Sequence, residues 1–566
     1  MKRIHIYILT AMALLNSSCS ADWLDLNTTS SVETGQAIVT LDDAQIALNG
    51  IYRLASGHSY YGDNYWYYGD CRAADVQARI TKGDGKRVSP YYEYNVLASD
   101  NLNIVLPWNT VYKVIRQTNN LIQKIESGSI QSSDTKELNR IKSEALVMRG
   151  LSLFNLTRLF GMPYTNDKGA SLGVPIETSP SDPTHKPSRS TVAQCYEQVV
   201  SDMSNALSGL RQETSNGYIN YWAAQALLSR VYLNMGEYQK AYDAATDVIK
   251  NNGGRYQLYS YEEYPNVWGQ DFQSESLFEL YITLSEPSGG TGGEGAPMVY
   301  ANEATVDWNN LILSEDFLNL LNEDPKDVRH CLTKESVIEN NTGLPAAAMH
   351  EKVYLAKFPG KTGDDPKTNN ICIIRLSEVY LNAAEAGLKK GTDLEEAQGY
   401  LNDIISRRTT DTSQQVSTET FTLDRILKER RKELVGEGEV FYDYLRNGLA
   451  IERKGSWHLE TLKASNAQKI EATDLRIALP IPQSEIDANP NIQQNPRQAT
   501  SIDVYRFRNK LAILMCLASS RYQRRYISPK NEMYLLCLSA AVPTLRFLSS
   551  LVSEPIKHPL FHRHLL

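Results

Sequence analysis

Aromatic side chains crowd one short stretch of this 566-residue chain: Tyr60, Tyr61, Tyr65, Trp66, Tyr67 and Tyr68, with Asp70, Asp75 and Arg79 close behind. No helical period runs through them, so His58 to Tyr94 reads as irregular loops. Flat rings complement the C–H faces of sugar rings, and Asp, Asn and Arg can take the hydroxyls. Tyr300 and Trp308 stand in a later loop-rich region and could approach the same surface. The ligand-binding candidates are therefore Tyr60, Tyr65, Trp66, Asp70, Arg79, Tyr300 and Trp308. The competing reading is that part of the tyrosine cluster packs the loop against helices, a use to which the amphipathic Tyr ring is equally suited. Trp108 and Tyr112 fall on a helical pattern and are expected in the core.

Other chemistry is poorly represented. Before the last 70 residues no two of the nine histidines lie at a ligand-pair spacing, and no HExxH, GxSxG or P-loop occurs. One GxGxxG, at Gly290, Gly292 and Gly295, runs on into Ala296-Pro297-Met298. A dinucleotide fingerprint opens a helix after a strand, so this one reads as a flexible glycine tip. Asp70 with Asp75, or Glu437 with Glu439, could be imagined as glycosidase carboxylates. That mechanism needs a set separation across a cleft, and surface charge or helix capping explains the same residues. Seven scattered cysteines without a CxxC suggest neither a disulfide framework nor a zinc site. Nothing demands catalysis, a metal or a cofactor.

The elements that must position the candidates are mainly helical. Leu41 to Ala55 places Ala44, Leu48, Ile51 and either Leu54 or Ala55 on one face. Helical patterning returns at Pro107 to Ile125, at Thr135 to Phe160 (closed by Gly161 and Pro163) and at Thr191 to Leu210. Asn220 to Lys250 carries two apolar stripes broken at Gly236, a helical hairpin of tetratricopeptide type. Leu376 to Ile405 repeats the pattern. The two copies predict a right-handed helical scaffold. Asn251 to Ile371 reads as a large loop-rich insertion carried on it, where binding surfaces tend to be built.

Composition bounds the rest. The chain is 42% apolar and 22% charged, an ordinary folded make-up. Its net charge of −8 argues against a nucleic-acid partner. Tyr outnumbers Phe 33 to 11, which favours a surface that touches something. Lys2 and Arg3, then the short apolar run Ile4 to Leu15, then Ser17 and Ser18, lead into Cys19. This resembles a bacterial lipoprotein signal with Cys19 as the lipidated first mature residue, although Asn16 stands where Leu is usual. The alternative is plain secretory cleavage near Ala21. Residues 497 to 566 carry 11 Lys+Arg against 3 Asp+Glu, leaving 47 against 63 in the remainder. A basic, patternless tail on an acidic, well-patterned body predicts a stretch that does not fold with it, such as a frameshift or readthrough extension.

Several separate stretches carry a family resemblance. CSADWLDLN from Cys19 is similar to the Cys-…-Asp-x-Leu-Asp opening of the SusD/RagB family. EALVMRGLSLFNLTRLFGMPY at Glu144 to Tyr164, followed by LGVPI at Leu172 to Ile176, resembles a family helix. RLSEVYLNAAEA at Arg375 to Ala386 and ILKERRKELVGEGEVFYDYLRNG at Ile426 to Gly448 do likewise. LPIPQSEIDANPNIQQNP at Leu479 to Pro496 resembles the usual ending. Arg149, Arg158, Glu429, Arg430 and Glu433 in these stretches read as charges buried in helix packing, paired with one another or capping helix ends.

The resemblance implies a mainly α, SusD-like fold: signal peptide 1–18, an N-terminal helical region 19–250, a C-terminal region 251–496 and the tail 497–566. It also implies a non-enzymatic outer-membrane lipoprotein, anchored through Cys19 and facing the exterior. Such a protein captures oligosaccharide and delivers it to a SusC-like TonB-dependent transporter. The same architecture binding peptides or another nutrient is the alternative, and a glycoside hydrolase a remote one.

Overall fold

Helix starts are written into the sequence, and a computed structural model places them there. It describes residues 38–62, 67–78, 88–180, 182, 184–283, 285, 300, 311–335, 353–361, 368–462 and 466–496. Thr40 caps helix α1 (Leu41–Ala55) through a reciprocal box with Asp43, satisfying two backbone donors at once. The helix buries Ala44, Leu48 and Ile51, as the spacing predicts, takes Ala55 in preference to Leu54 as the fourth, and buries Tyr52 besides. Pro107 opens α2 (Leu106–Glu126), where a missing N–H costs nothing. Asp134 caps α3 (Thr135–Phe160), and every residue of α3 from Val147 onward is buried. This central helix packs against α1, α2 and α4 (Val192–Ala206).

The two helical hairpins are α5 (Tyr221–Met235) with α6 (Tyr238–Asn251), and α7 (Leu376–Lys390) with α8 (Leu394–Arg408). Each turns on a left-handed glycine at the end of its first helix, Gly236 at φ 74° and Gly391 at φ 76°. Helix α6 packs directly on α7, so the hairpins stack although the insertion separates them in sequence. Gly387 marks the crossing: a Cβ there would run into Ala397 of α8 and the Tyr242 ring of α6. The fold is mainly α, as expected.

Short strands tie the insertion to the stack. Strands β1 (Val76–Ala78) and β3 (Leu311–Leu313) pair antiparallel, Val76 opposite Leu313. Strands β2 (Ser276–Leu280) and β6 (Ile371–Arg375) also pair antiparallel and return the chain to the start of α7. Between them β4 (Thr333–Glu335) pairs with β5 (Val353–Leu355).

Helices α9 (Leu423–Leu434) and α10 (Val440–Arg446) complete the packing with a buried ionic lattice. Glu433 receives Arg375 at 2.7 Å, Arg408 at 3.0 Å and Arg329 at 3.1 Å. Arg230 of α5 grips Glu378 of α7 at 2.6 Å. The charges expected to be buried are buried, but not paired among themselves. Arg149 pairs with Asp202, Arg158 with Glu439, Glu429 with Arg329, and Arg430 with Asp443. Each pair links separate segments, because burial of a charge is tolerated only where an opposite charge meets it.

Candidate ligand-binding site

The tight turn Tyr67–Cys71 lies on the connection between α9 and α10. Gly69 permits this: a Cβ there would overlap the backbone of Gly438. The turn then aims Asp70 inward. Its Oδ1 accepts the Gly438 N–H at 3.0 Å and its Oδ2 accepts the Tyr300 hydroxyl at 2.5 Å. Burial raises the Asp70 carboxyl to about 7, against the two hydrogen bonds, which favour the anion. The Tyr300 ring stacks on Phe358, 5.6 Å between centroids. A few residues on, the β1–β3 pair fixes the same two segments side by side, and Asp75 binds Arg431 at 2.6 Å.

The structure thus joins the two regions nominated for ligand binding, but it corrects the roles of three candidates. Tyr60, Asp70 and Tyr300 are only 2%, 4% and 1% exposed. Tyr60 and Tyr61 stack at 4.4 Å, and Asn155 of α3 donates to both hydroxyls, at 2.8 and 2.6 Å. These polar tips find partners inside the protein, so the side chains hold the loops in place and are not open platforms. Tyr65, Trp66, Arg79 and Trp308 lie outside the described residues, as do Cys19, the signal segment, the glycine run at 290–295 and the tail from 497. Trp108 is core, 2% exposed and edge-on to Phe160. Tyr112 is half-buried, donating its hydroxyl to the Pro175 carbonyl.

The carboxylates considered as catalytic pairs are engaged elsewhere. Glu437 binds Arg375 at 2.7 Å and contacts Lys357; Glu439 binds Arg158 at 2.7 Å and Arg230 at 3.4 Å. Among the described residues no group of three or more His, Cys, Asp or Glu could hold a metal ion, and no helix is long and apolar enough to cross a membrane.

Sequence reasoning missed one concavity. A cavity of about 440 Å³ opens between α1, the turn at Asn216–Gly217 and the end of β2, with Arg53, Tyr218, Asp271, Phe272 and Tyr281 in its wall. Its signal was strand alternation: Leu280 and Ile282 are each 1% exposed, whereas Tyr281 between them is 54% exposed.

The hairpins stack, and the two loop segments are joined through Asp70–Tyr300 and β1–β3. Comparison with known proteins gives this fold a family. Residues 185–497 match the model of the SusD family, and residues 22–233 match a model described as "Starch-binding associating with outer membrane". The chain belongs to the SusD family. It is similar to a putative sugar binding protein from Bacteroides vulgatus, 36% identical with a TM-score of 0.72, covering 81% of this chain and 99% of that one. SusD-like protein P2 of Formosa agariphila is 25% identical over 530 residues, 86% of this chain and 99% of its own. A "Laminarin binding SusD-like protein" shares the fold at 23% identity and a TM-score of 0.63, covering 81% and 99%.

Proposed function

We propose that this protein is a cell-surface glycan-binding lipoprotein that captures oligosaccharide and passes it to a SusC-like TonB-dependent transporter without cleaving it. One observation carries the reading: two loop segments are tied together, through the Asp70–Tyr300 bond and the β1–β3 pair, the first rich in aromatic, Asp and Arg residues and the second carrying Tyr300 and Trp308. Tyr65, Trp66, Arg79 and Trp308 belong to those segments and are the proposed ligand contacts. The 36% identical putative sugar binding protein and the laminarin-binding relative support a saccharide. The ion-paired state of Asp75, Glu437 and Glu439 supports a role without hydrolysis. The anchor is lipidated Cys19, with residues 1–18 removed, regions 19–250 and 251–496 making the body, and 497–566 an appended stretch. Calorimetry of the body with laminarihexaose, maltohexaose, cellohexaose and xylohexaose, against a peptide pool, tests the ligand class. Heat with a hexaose and none with peptides is expected; the reverse would sink the reading. Copurification with a TonB-dependent porin-like importer tests the partner.

A further inference from the structure

We infer that the cavity beside Tyr281 is a saccharide subsite separate from the segments joined by Asp70 and Tyr300. This rests on the glycan reading above, and adds a place and a set of contacts to it. At about 440 Å³ the cavity falls within the range of about 300–1,000 Å³ usual for small-ligand sites. None of its lining residues belongs to the Asp70–Tyr300 contact.

Tyr281 supplies the platform. The residue stays 54% exposed although Phe272 stacks against its ring at 5.7 Å and 27°, and the Lys361 ammonium sits 4.3 Å from the ring centroid. Lys361 is itself held by Asp271 at 2.9 Å. A large ring fixed by such neighbours has little freedom left to lose, so stacking a sugar on it costs little ordering entropy. The backbone at Phe272 takes a left-handed φ of 49°, unusual for a non-glycine residue, and at Gly217, φ 79°, an added Cβ would come into van der Waals contact with Tyr281 and the Phe272 ring.

The remaining wall suits hydroxyls. The Tyr218 hydroxyl donates to Asn49 at 3.1 Å, Arg53 donates to Ser56 at 3.0 Å, and the Asn216 amide is exposed at the rim. Asp271 and Lys361 cancel in charge. A half-exposed ring beside amide, hydroxyl and guanidinium groups, each already ordered by its own contacts, gives the hydroxyls of a sugar residue polar neighbours that an apolar peptide side chain would not use.

The test is calorimetry with the four hexaoses on wild type, Tyr281→Ala, Asn216→Ala and Trp66→Ala. Tyr281 is largely exposed, so its removal should leave the melting temperature within about 2 °C. A five- to tenfold loss of affinity, roughly, is expected for Tyr281→Ala, and about twofold for Asn216→Ala. If wild type binds a hexaose and Tyr281→Ala binds it equally well, the subsite is wrong and the glycan reading stands. If wild type binds only peptides, both fall.

Discussion

Tyr300 donates its hydroxyl hydrogen to Asp70, 230 positions earlier in the chain. A buried carboxylate with two donors joins an N-terminal loop to the insertion, while Gly438 ties both to the connection between α9 and α10. The link also has a proton of its own. The folded carboxyl titrates at about 7, above its ordinary 3.8, because burial penalises the anion. A raised folded pKa means the contribution to stability is complete below 3.8 and is lost as pH rises through 7. The span corresponds to roughly 4 kcal/mol at most. The melting temperature of Asp70→Asn, relative to wild type, should therefore move in the variant's favour between pH 4 and pH 8. A difference that stays flat across that range would contradict this account.

Acid should act oppositely on the helical stack. The Arg446 guanidinium, bidentate to Glu385, overcomes burial and holds that carboxyl at about 2, below its usual 4.5. Its stabilisation is present above 4.5 and disappears as pH falls towards 2. His458, buried and therefore lowered to about 4, adds a loss between 6.5 and 4 as it is forced to charge. Asp70 offsets the histidine loss between pH 7 and pH 4, so the clean reading is a difference: the urea midpoint of Glu385→Gln, relative to wild type, should move in the variant's favour from pH 5 to pH 3.

Glu433 holds three arginines at once, Arg375, Arg408 and Arg329. Glu433→Ala leaves these cations facing one another in the interior with less opposing charge. A loss of about 3–5 kcal/mol in unfolding free energy is expected. Urea denaturation at pH 7 measures it, and a loss below about 1 kcal/mol would show the lattice to be redundant.

At Gly387 two effects compete. Alanine is the better helix former by about 1 kcal/mol. Its Cβ, however, would strike Ala397 and press on Tyr242, and overpacking costs typically about 1–3 kcal/mol. Packing should win, so Gly387→Ala is expected to destabilise, by a lower melting temperature. A gain would show that the stacked hairpins can slide apart.

Among the loop residues, Trp66→Ala and Trp308→Ala should each weaken hexaose binding by about tenfold without changing the melting temperature. Unchanged affinity in both would place the binding surface elsewhere.

The helices were the legible part. Thr40, Asp134 and Thr191 announce helix starts, Gly236 and Gly391 announce turns, and the apolar spacing of Ala44, Leu48 and Ile51 gives the buried face. These are local signals, acting within a turn or two of chain. The partners of the buried charges were not legible: Arg158 meets Glu439 across 281 positions, a distance that only the packing sets. Tyr60, Asp70 and Tyr300 were misplaced for a related reason. A polar tip with a distant internal partner and one that waits for a ligand look alike in sequence. The Tyr281 cavity was missed because its wall comes from three separated segments, and one alternating residue was its only trace.

The ladder between Ser276–Leu280 and Ile371–Arg375 clamps the two ends of residues 281–370, the larger part of the insertion, to each other and to the start of α7. Whatever lies inside the clamp can lengthen at little cost, since each doubling of a loop adds only about 0.6 kcal/mol of closure entropy. Selectivity in such a receptor is then an exchangeable cartridge. Descendants can rewrite those of the 90 residues between the two strands that stand apart from the anchors Tyr300, Leu311–Leu313, Arg329 and Lys357, while inheriting the chassis unchanged.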